Sequence, residues 1–135
     1  AFITLGDPMI YSTYIYVLER LKGFKIETVP GITSFTAAAA KLNIPIAEGD
    51  KPFAVIPSFD EDALRTTLDK FDSVILMKVS RNFDEIVNLL DEKGFDAGFV
   101  NRCGQEGEIV SFDPEKFKGK QIDYLSLIIA RRRKA

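Results

Sequence analysis

Two loops near the start of this chain are rich in glycine, proline and hydroxyl residues, and each follows an apolar segment. They span residues 6–13 and 29–34, and the first also carries the carboxylate of Asp7. Glycine lets a ligand approach the backbone closely, and a hydroxyl group at the start of a helix accepts a free backbone N–H. Loops of this kind present backbone N–H groups to polar or anionic ligands. The pattern predicts either a ligand-binding cradle or two ordinary turns with helix caps, and spacing alone does not decide between them.

The loops can face one cleft only if the preceding strands lie in one sheet. Apolar runs and turn residues predict strands that alternate with helices as far as residue 100, followed by two strands close together. The predicted strands are 2–5, 25–29, 53–57, 73–77, 97–100, 108–111 and 122–130, and the predicted helices are 14–22, 33–42, 60–71 and 83–93. We therefore expect an α/β fold with a mixed, mostly parallel sheet, helices on both faces and an antiparallel edge. Residues 116–120 are expected to form an exposed turn.

Composition narrows the class of protein. The chain has 135 residues, of which 46% are hydrophobic, which suits one domain with a buried core. No apolar stretch is long enough to span a membrane and residues 1–4 do not resemble a signal peptide, so we expect a soluble cytoplasmic protein with no membrane partner. The 18 basic and 20 acidic side chains give no electrostatic footprint for nucleic acid, and the basic run 131–134 is interpreted as a solvated tail.

The chain contains no histidine and a single cysteine, Cys103. One cysteine cannot form an internal disulfide, and without histidine a zinc site is not expected, so we predict no metal ligands. Catalysis by a Ser–His or Cys–His pair is excluded within this chain. The composition therefore favours chemistry that asks little of side chains, and Cys103 is interpreted as a small buried residue.

Several motifs, in order along nearly the whole chain, resemble the tetrapyrrole (corrin/porphyrin) methylase family. They are residues 6–13 (Gly-Asp-Pro-Met-Ile-Tyr-Ser-Thr), 29–34 (Val-Pro-Gly-Ile-Thr-Ser), 44–47 (Ile-Pro-Ile-Ala), 77–81 (Met-Lys-Val-Ser-Arg) and 102–108 (Arg-Cys-Gly-Gln-Glu-Gly-Glu). The last two motifs are most similar to the branch that methylates carbon 20 of precorrin-2 or cobalt-precorrin-2 in cobalamin biosynthesis. The resemblance thus implies a methyltransferase that uses S-adenosylmethionine and acts on a tetrapyrrole.

The family also implies a domain organisation. Its members consist of two α/β domains with S-adenosylmethionine between them, and they are commonly dimeric. Their first domain opens with a strand and a Gly-Pro-Gly loop, and nothing like that loop precedes Ala1. We therefore expect residues 1–8 to be the end of a first-domain strand with the linker and cofactor loop, and residues 9–135 to be the second domain of the tetrapyrrole methylase fold. The amino-terminal domain would then be absent from this sequence, and a homodimer is expected.

The resemblance assigns site residues at strand ends and in loops, where an open α/β sheet binds ligands. The implied cofactor contacts are Gly6, Asp7, Ile10, Thr33, Ser34, Met77 through its backbone, Cys103, Gly104 and Leu125, with Tyr124 and Ser126 beside the last. Because the substrate carries many carboxylates, the implied substrate contacts are the cations Lys78, Arg81 and Arg102, each of which could equally pair within the chain. The catalytic residue is unknown. Tyr11 is the candidate for removing the proton, whereas Tyr14 and Tyr16 are interpreted as helix packing.

Two other interpretations stay open. Another branch of the same superfamily, such as a different precorrin methylase, a uroporphyrinogen methylase or diphthine synthase, shares the two glycine loops. A chain without its amino-terminal domain could also be only a ligand-binding or dimerisation module. At the residue level, Asp7 could merely accept N–H groups of its own turn, and Met77 could be core packing.

Overall fold

The computed structural model describes residues 1–57 and 60–134. In chain order the elements are α1 (Tyr14–Arg20), α2 (Ser34–Leu42), β1 (Ala54–Pro57), α3 (Glu61–Lys70), β2 (Ser73–Met77), α4 (Phe83–Glu92), β3 (Phe95–Asn101), β4 (Ile109–Ser111), a 3₁₀ helix (Pro114–Phe117) and β5 (Ser126–Arg132). The four α-helices and the strands from β1 onward fall where the sequence predicted them, within a few residues at most ends.

Within the described residues, five strands form one mixed sheet in the order β1-β2-β5-β3-β4. Strands β1 and β2 pair in parallel, whereas β2–β5, β5–β3 and β3–β4 are antiparallel pairs. The α/β class and the mixed sheet are therefore confirmed, but the sheet is not mostly parallel. The reason is that β5, the last strand, inserts between β2 and β3 and runs against both of them.

Side chains of the sheet alternate between two faces, and helices cover both faces. Val74 and Leu76 of β2 pack with α3 and α4, whereas Ile75 packs with α2 on the other face. Gly98 of β3 allows α2 to approach closely, because a Cβ there would lie 2.6 Å from a methyl carbon of Leu42. The predicted placement of helices on both faces is confirmed, and the packing at Gly98 fixes the position of α2.

Two predicted strands, residues 2–5 and 25–29, do not join the sheet. Their apolar side chains are largely exposed, with Ile3 at 91% and Val29 at 74%. The prediction of strands there is wrong for the described residues, because a strand forms only where a neighbour accepts its backbone hydrogen bonds. The two segments instead meet at Tyr14, whose ring centroid lies 5.5 Å from that of Phe2 and whose hydroxyl lies 2.9 Å from Thr28 Oγ1.

The basic run near residue 131 is not a solvated tail. Arg132 lies in β5, pairs with Asp72 at 2.8 Å and places its guanidinium 4.6 Å from the ring centroid of Phe95. Arg133 pairs with Asp91 and Asp96, each at 2.9 Å. The expectation of a free tail is wrong because β5 brings these arginines beside acidic residues that are distant in sequence.

The segment after β4 is also more ordered than an exposed turn. The 3₁₀ helix ends at Phe117, whose ring centroid lies 4.9 Å from that of Phe99 in β3. The expectation of an exposed turn at residues 116–120 is therefore wrong at Phe117, which packs against the core. The expectation rested on the polar residues around Phe117, which carry no sign of this contact. Among residues 1–57 and 60–134, no helix is both long enough and apolar enough to cross a membrane.

Candidate functional site

The two glycine loops touch each other before the start of α2. A Cβ on Gly31 would lie 2.2 Å from the carbonyl oxygen of Gly6, so this approach requires glycine. Asp7 joins the same loops: one carboxylate oxygen accepts the Met9 N–H at 2.8 Å and the other accepts the Gly31 N–H at 3.0 Å. Asp7 therefore makes the turn contact foreseen from sequence and, in addition, cross-links the loops.

The second loop ends in the cap of α2. Thr33 Oγ1 accepts the Thr36 N–H at 3.2 Å and lies 2.8 Å from Thr36 Oγ1. Helix α2 begins at Ser34, directly after this cap. The hydroxyl of Thr33 is thus engaged by the helix, and the loop is held rigidly at the point where α2 starts.

A cavity of about 370 Å³ lies between the glycine loops and one end of the sheet. We call this end, which is formed by strand termini and not by an outer strand, the sheet edge. Strands β2 and β3 end at this edge and β5 begins there, since Met77 pairs with Leu127 and Asn101 with Ser126. The cavity is lined by all nine residues predicted as cofactor contacts: Gly6, Asp7, Ile10, Thr33, Ser34, Met77, Cys103, Gly104 and Leu125. Phe35 and Gln105 also line it and were missed, although each directly follows a predicted contact in the sequence.

Three non-glycine residues around this cavity have a left-handed backbone. The φ angles are 52° at Tyr11, 59° at Lys78 and 50° at Arg102. Such angles are uncommon outside glycine and tend to occur at functional sites. Lys78 and Arg102 each follow the last residue of a strand directly. The chain therefore turns sharply at the sheet edge, where strain is retained beside the cavity.

Lys78 and Tyr11 lie between this cavity and a second one. The Lys78 ammonium is 5.5 Å from the centre of the Tyr11 ring, and both residues line a neighbouring cavity of about 680 Å³. The walls of the second cavity also include Phe35, Tyr124 and Tyr16. Tyr16 is 71% exposed, so its interpretation as helix packing is wrong, whereas Tyr14 is buried as that interpretation requires.

The other two predicted cations lie elsewhere. Arg81 is exposed and lines neither cavity. Arg102 donates from Nη1 to Asp123 Oδ2 at 3.2 Å and from Nε to the carbonyl oxygen of Glu106 at 2.9 Å. Of the three predicted substrate contacts, only Lys78 is in a cavity wall, and the roles of all the site residues stay predictions.

Glu108 fixes the wall that carries Cys103 and Gly104. It accepts the Gly104 N–H, and it pairs with Lys41 of α2 at 3.0 Å. These two donors hold the pKa of Glu108 below its ordinary value, and the carboxylate raises the pKa of Lys41. Burial, with the Glu108 charge, raises the pKa of Cys103, which favours a neutral thiol. In the described part of the chain, no group of three or more Cys, Asp or Glu residues could hold a metal ion.

An α/β domain with a glycine-lined cavity at one sheet edge is a ligand-binding architecture. The chain belongs to the Tetrapyrrole (Corrin/Porphyrin) Methylases, whose family model matches residues 1–116. This membership confirms the resemblance that the sequence motifs carry.

Curated relatives are similar along most of this chain. A probable cobalt-precorrin-2 C(20)-methyltransferase of Methanocaldococcus jannaschii is 39% identical over 98% of this chain and 58% of the relative. The cobalt-precorrin-2 C(20)-methyltransferase of Salmonella typhimurium is 42% identical over 69% of this chain and 40% of the relative. The chain thus spans little more than half the length of the first relative and less of the second.

Solved structures agree at the level of the fold. A putative cobalamin synthesis related protein (CobF) of Corynebacterium diphtheriae matches with a TM-score of 0.74 at 13% identity, over 96% of this chain and 59% of that one. A uroporphyrin-III C-methyl transferase of Thermus thermophilus, complexed with S-adenyl homocysteine, matches with a TM-score of 0.63 at 20% identity, over 93% and 62%.

Proposed function

We propose that the whole protein transfers a methyl group from S-adenosylmethionine to carbon 20 of precorrin-2 or cobalt-precorrin-2 in cobalamin biosynthesis. The observation that carries this proposal is that one cavity gathers all nine residues predicted as cofactor contacts. The names of the M. jannaschii and S. typhimurium relatives support the position of methylation.

The space beside the glycine loops is suited to S-adenosylmethionine, the methyl donor. Side chains on Gly6 or Gly31 would narrow the cradle or break the contact between the loops, and a cavity of about 370 Å³ is within the range of small-molecule sites. When bound, S-adenosylmethionine supplies an already activated methyl group. The residues of this chain need only hold the donor, align the attacking carbon and exclude water, which suits a site without histidine.

We place the tetrapyrrole at the second, larger cavity. Its wall combines the cation Lys78 with the aromatic residues Tyr11, Tyr16, Phe35 and Tyr124. An ammonium group binds a peripheral carboxylate, and aromatic faces contact the macrocycle. Because Tyr11 and Lys78 line both cavities, the methyl donor and the attacking carbon would meet beside them. Arg81 is proposed as an outer cation, and Tyr11 as the candidate that accepts the proton.

We also propose a cytoplasmic homodimer in which residues 1–8 join an amino-terminal domain to the domain of residues 9–135. The support is a set of large apolar side chains that this chain leaves exposed. Ile3, Leu5, Phe24, Val29 and Ile32, all within one 30-residue segment, are each more than 70% exposed. The amino-terminal domain or the second subunit would cover them.

The test is turnover by the full-length protein with isotopically labelled S-adenosylmethionine and reduced precorrin-2, with and without cobalt. Carbon NMR of the product should locate the new methyl group at carbon 20. Methylation at another carbon would favour another branch of the family. Donor binding without transfer to either tetrapyrrole would favour the alternative of a binding module.

A further inference from the structure

The loop between β3 and β4 forms one wall of the cavity of about 370 Å³. We call this cavity the donor cavity, because we place the methyl donor in it. Cys103, Gly104 and Gln105 all line the cavity. The loop turns at Arg102 and Gly104, with φ angles of 50° and 72°, and the Gln105 N–H donates to the Arg102 carbonyl at 2.9 Å. The shape of this wall therefore depends on whatever holds Arg102 and Gly104 in place.

Arg102 fixes the loop through its side chain. Its Nε donates to the Glu106 carbonyl at 2.9 Å, which closes the loop on itself. Its Nη1 donates to Asp123 Oδ2 at 3.2 Å, which ties the loop to the segment before β5. These contacts engage two of the five N–H donors of the guanidinium and direct the side chain away from the ligand sites, since Arg102 lines neither cavity.

Asp123 and the backbone complete a ring of contacts with Arg102. The second oxygen of Asp123 accepts the Leu125 N–H at 2.7 Å. The Arg102 N–H donates to the Leu125 carbonyl at 2.8 Å. Leu125 itself lines the cavity. The ring thus joins two separate walls of the cavity from outside.

Glu108 holds the same loop through a different contact. It accepts the Gly104 N–H, and Lys41 anchors it to α2 at 3.0 Å. The donors on Gly104 and Lys41 keep its pKa low, so the carboxylate stays charged near neutral pH. The loop is therefore held by Asp123 through Arg102 and by α2 through Glu108.

We propose that Arg102, Asp123 and Glu108 are positioning residues that shape the donor cavity, and that Arg102 does not contact the tetrapyrrole. This inference replaces our expectation that Arg102 is a substrate contact. It rests on the proposed function, because it takes the cavity to be the donor site.

The first experiment measures S-adenosylhomocysteine binding to the full-length protein by calorimetry. Arg102→Gln and Asp123→Asn should each raise the dissociation constant about five- to tenfold. The double variant should lose no more than either single variant, because both remove the same ring. Lys116→Gln is the matched control, since Lys116 forms a 3.1 Å pair with Asp113 and lines neither cavity. Its dissociation constant should stay unchanged.

A direct substrate role for Arg102 gives the opposite pattern. Asp123→Asn would then free the guanidinium, so that the Michaelis constant for the tetrapyrrole would fall while the donor dissociation constant stayed within twofold of the wild-type value. Arg102→Gln would raise that Michaelis constant while leaving the donor dissociation constant within twofold. Either result overturns the proposal.

The second experiment uses amide hydrogen exchange, which needs no ligand. In Arg102→Gln, peptides that cover residues 102–108 and 123–125 should exchange at least about fivefold faster, whereas peptides from β2 should not change. Unchanged exchange in both loop segments overturns the positioning role. Faster exchange in a protein whose wild type does not bind S-adenosylhomocysteine supports the positioning role and contradicts the proposed function instead.

Discussion

Gly31 is the position in the glycine loops that tolerates a side chain least. Its missing Cβ would lie 2.2 Å from the Gly6 carbonyl oxygen, and that backbone atom cannot swing aside as a flexible side chain would. We expect Gly31→Ala to separate the loops and to weaken S-adenosylhomocysteine binding at least about tenfold, measured by calorimetry on the full-length protein.

Gly119→Ala is the matched control for this change. No atom lies within 4 Å of its missing Cβ, and its φ of 70° makes alanine strained. It should therefore cost about 1 kcal/mol of folding stability and leave donor binding intact. Equal losses of binding in the two variants would mean that general destabilisation, and not the contact between the loops, is responsible.

Variants at Lys78 and Asp7 should affect the binding of the tetrapyrrole and of the methyl donor separately. Lys78 lies in the wall shared by the two cavities, and losing one charge-assisted contact costs about 1.5–3 kcal/mol, or roughly ten- to hundredfold in affinity. Lys78→Ala should raise the Michaelis constant for the tetrapyrrole by that factor and leave that for S-adenosylmethionine nearly unchanged.

Asp7→Ala should do the reverse, because the carboxylate holds the two donor loops together through Met9 and Gly31. Steady-state kinetics of the full-length enzyme, with each substrate varied in turn, measures both constants. Equal effects on both constants in both variants would show lost folding and not lost contacts.

The positions of the helices and most strands could be predicted from local sequence patterns, but the order in which the strands pair could not. The apolar spacing that placed a helix at 83–93 corresponds to α4 at Phe83–Glu92, because that helix buries one stripe against the sheet. The position of β5 between β2 and β3 could not be predicted, since strand order depends on contacts between residues far apart in sequence.

In the candidate site, too, features built from short local segments could be predicted, whereas contacts between distant residues could not. All nine predicted cofactor contacts line the cavity, and eight of them belong to the quoted motifs, because a ligand cradle is built from short local segments. The partner of Arg102 could not be predicted, since Asp123 is 21 residues away and nothing local distinguishes a guanidinium that binds substrate from one that binds a carboxylate in its own chain.

The link between α2 and the β3–β4 loop should depend on pH. The pKa of Glu108 is lowered in the folded protein. Glu108 therefore adds to the free energy of unfolding at pH values above its pKa in the unfolded chain, and this stabilisation is lost as the pH falls through its pKa in the folded protein. The pKa of Lys41 is raised, so its contribution is lost only as the pH rises through its folded value. The stability difference between the wild type and Glu108→Gln should therefore be full between about pH 5 and 10 and shrink outside that range.

Chemical denaturation across this range measures that difference. A difference that does not change below about pH 4 would show that the charge of Glu108 is irrelevant to the loop. Lys41→Gln is the companion variant and should remove the dependence at high pH but only part of the dependence at low pH, because the Gly104 N–H still lowers the pKa of Glu108.

At the scale of the whole molecule, the exposed apolar residues of segments 2–5 and 24–32 suggest that one wall of the site is completed elsewhere. Val29 and Ile32 are 74% and 73% exposed, and the chain spans 58% of the length of the M. jannaschii relative. We expect the 135-residue chain alone to bind S-adenosylhomocysteine weakly and to methylate no tetrapyrrole. Turnover by this chain alone, at a rate comparable with that of the full-length protein, would contradict this expectation.

We propose that the cavity between the glycine loops and the sheet edge holds the methyl donor. A crystal structure of the full-length protein soaked with S-adenosylhomocysteine tests it directly. We predict that the ligand lies against Gly6, Thr33, Met77 and Leu125, all of which line this cavity, with its sulfur towards Lys78 and Tyr11. A ligand bound at any other surface, with this cavity empty, would contradict the proposed donor site.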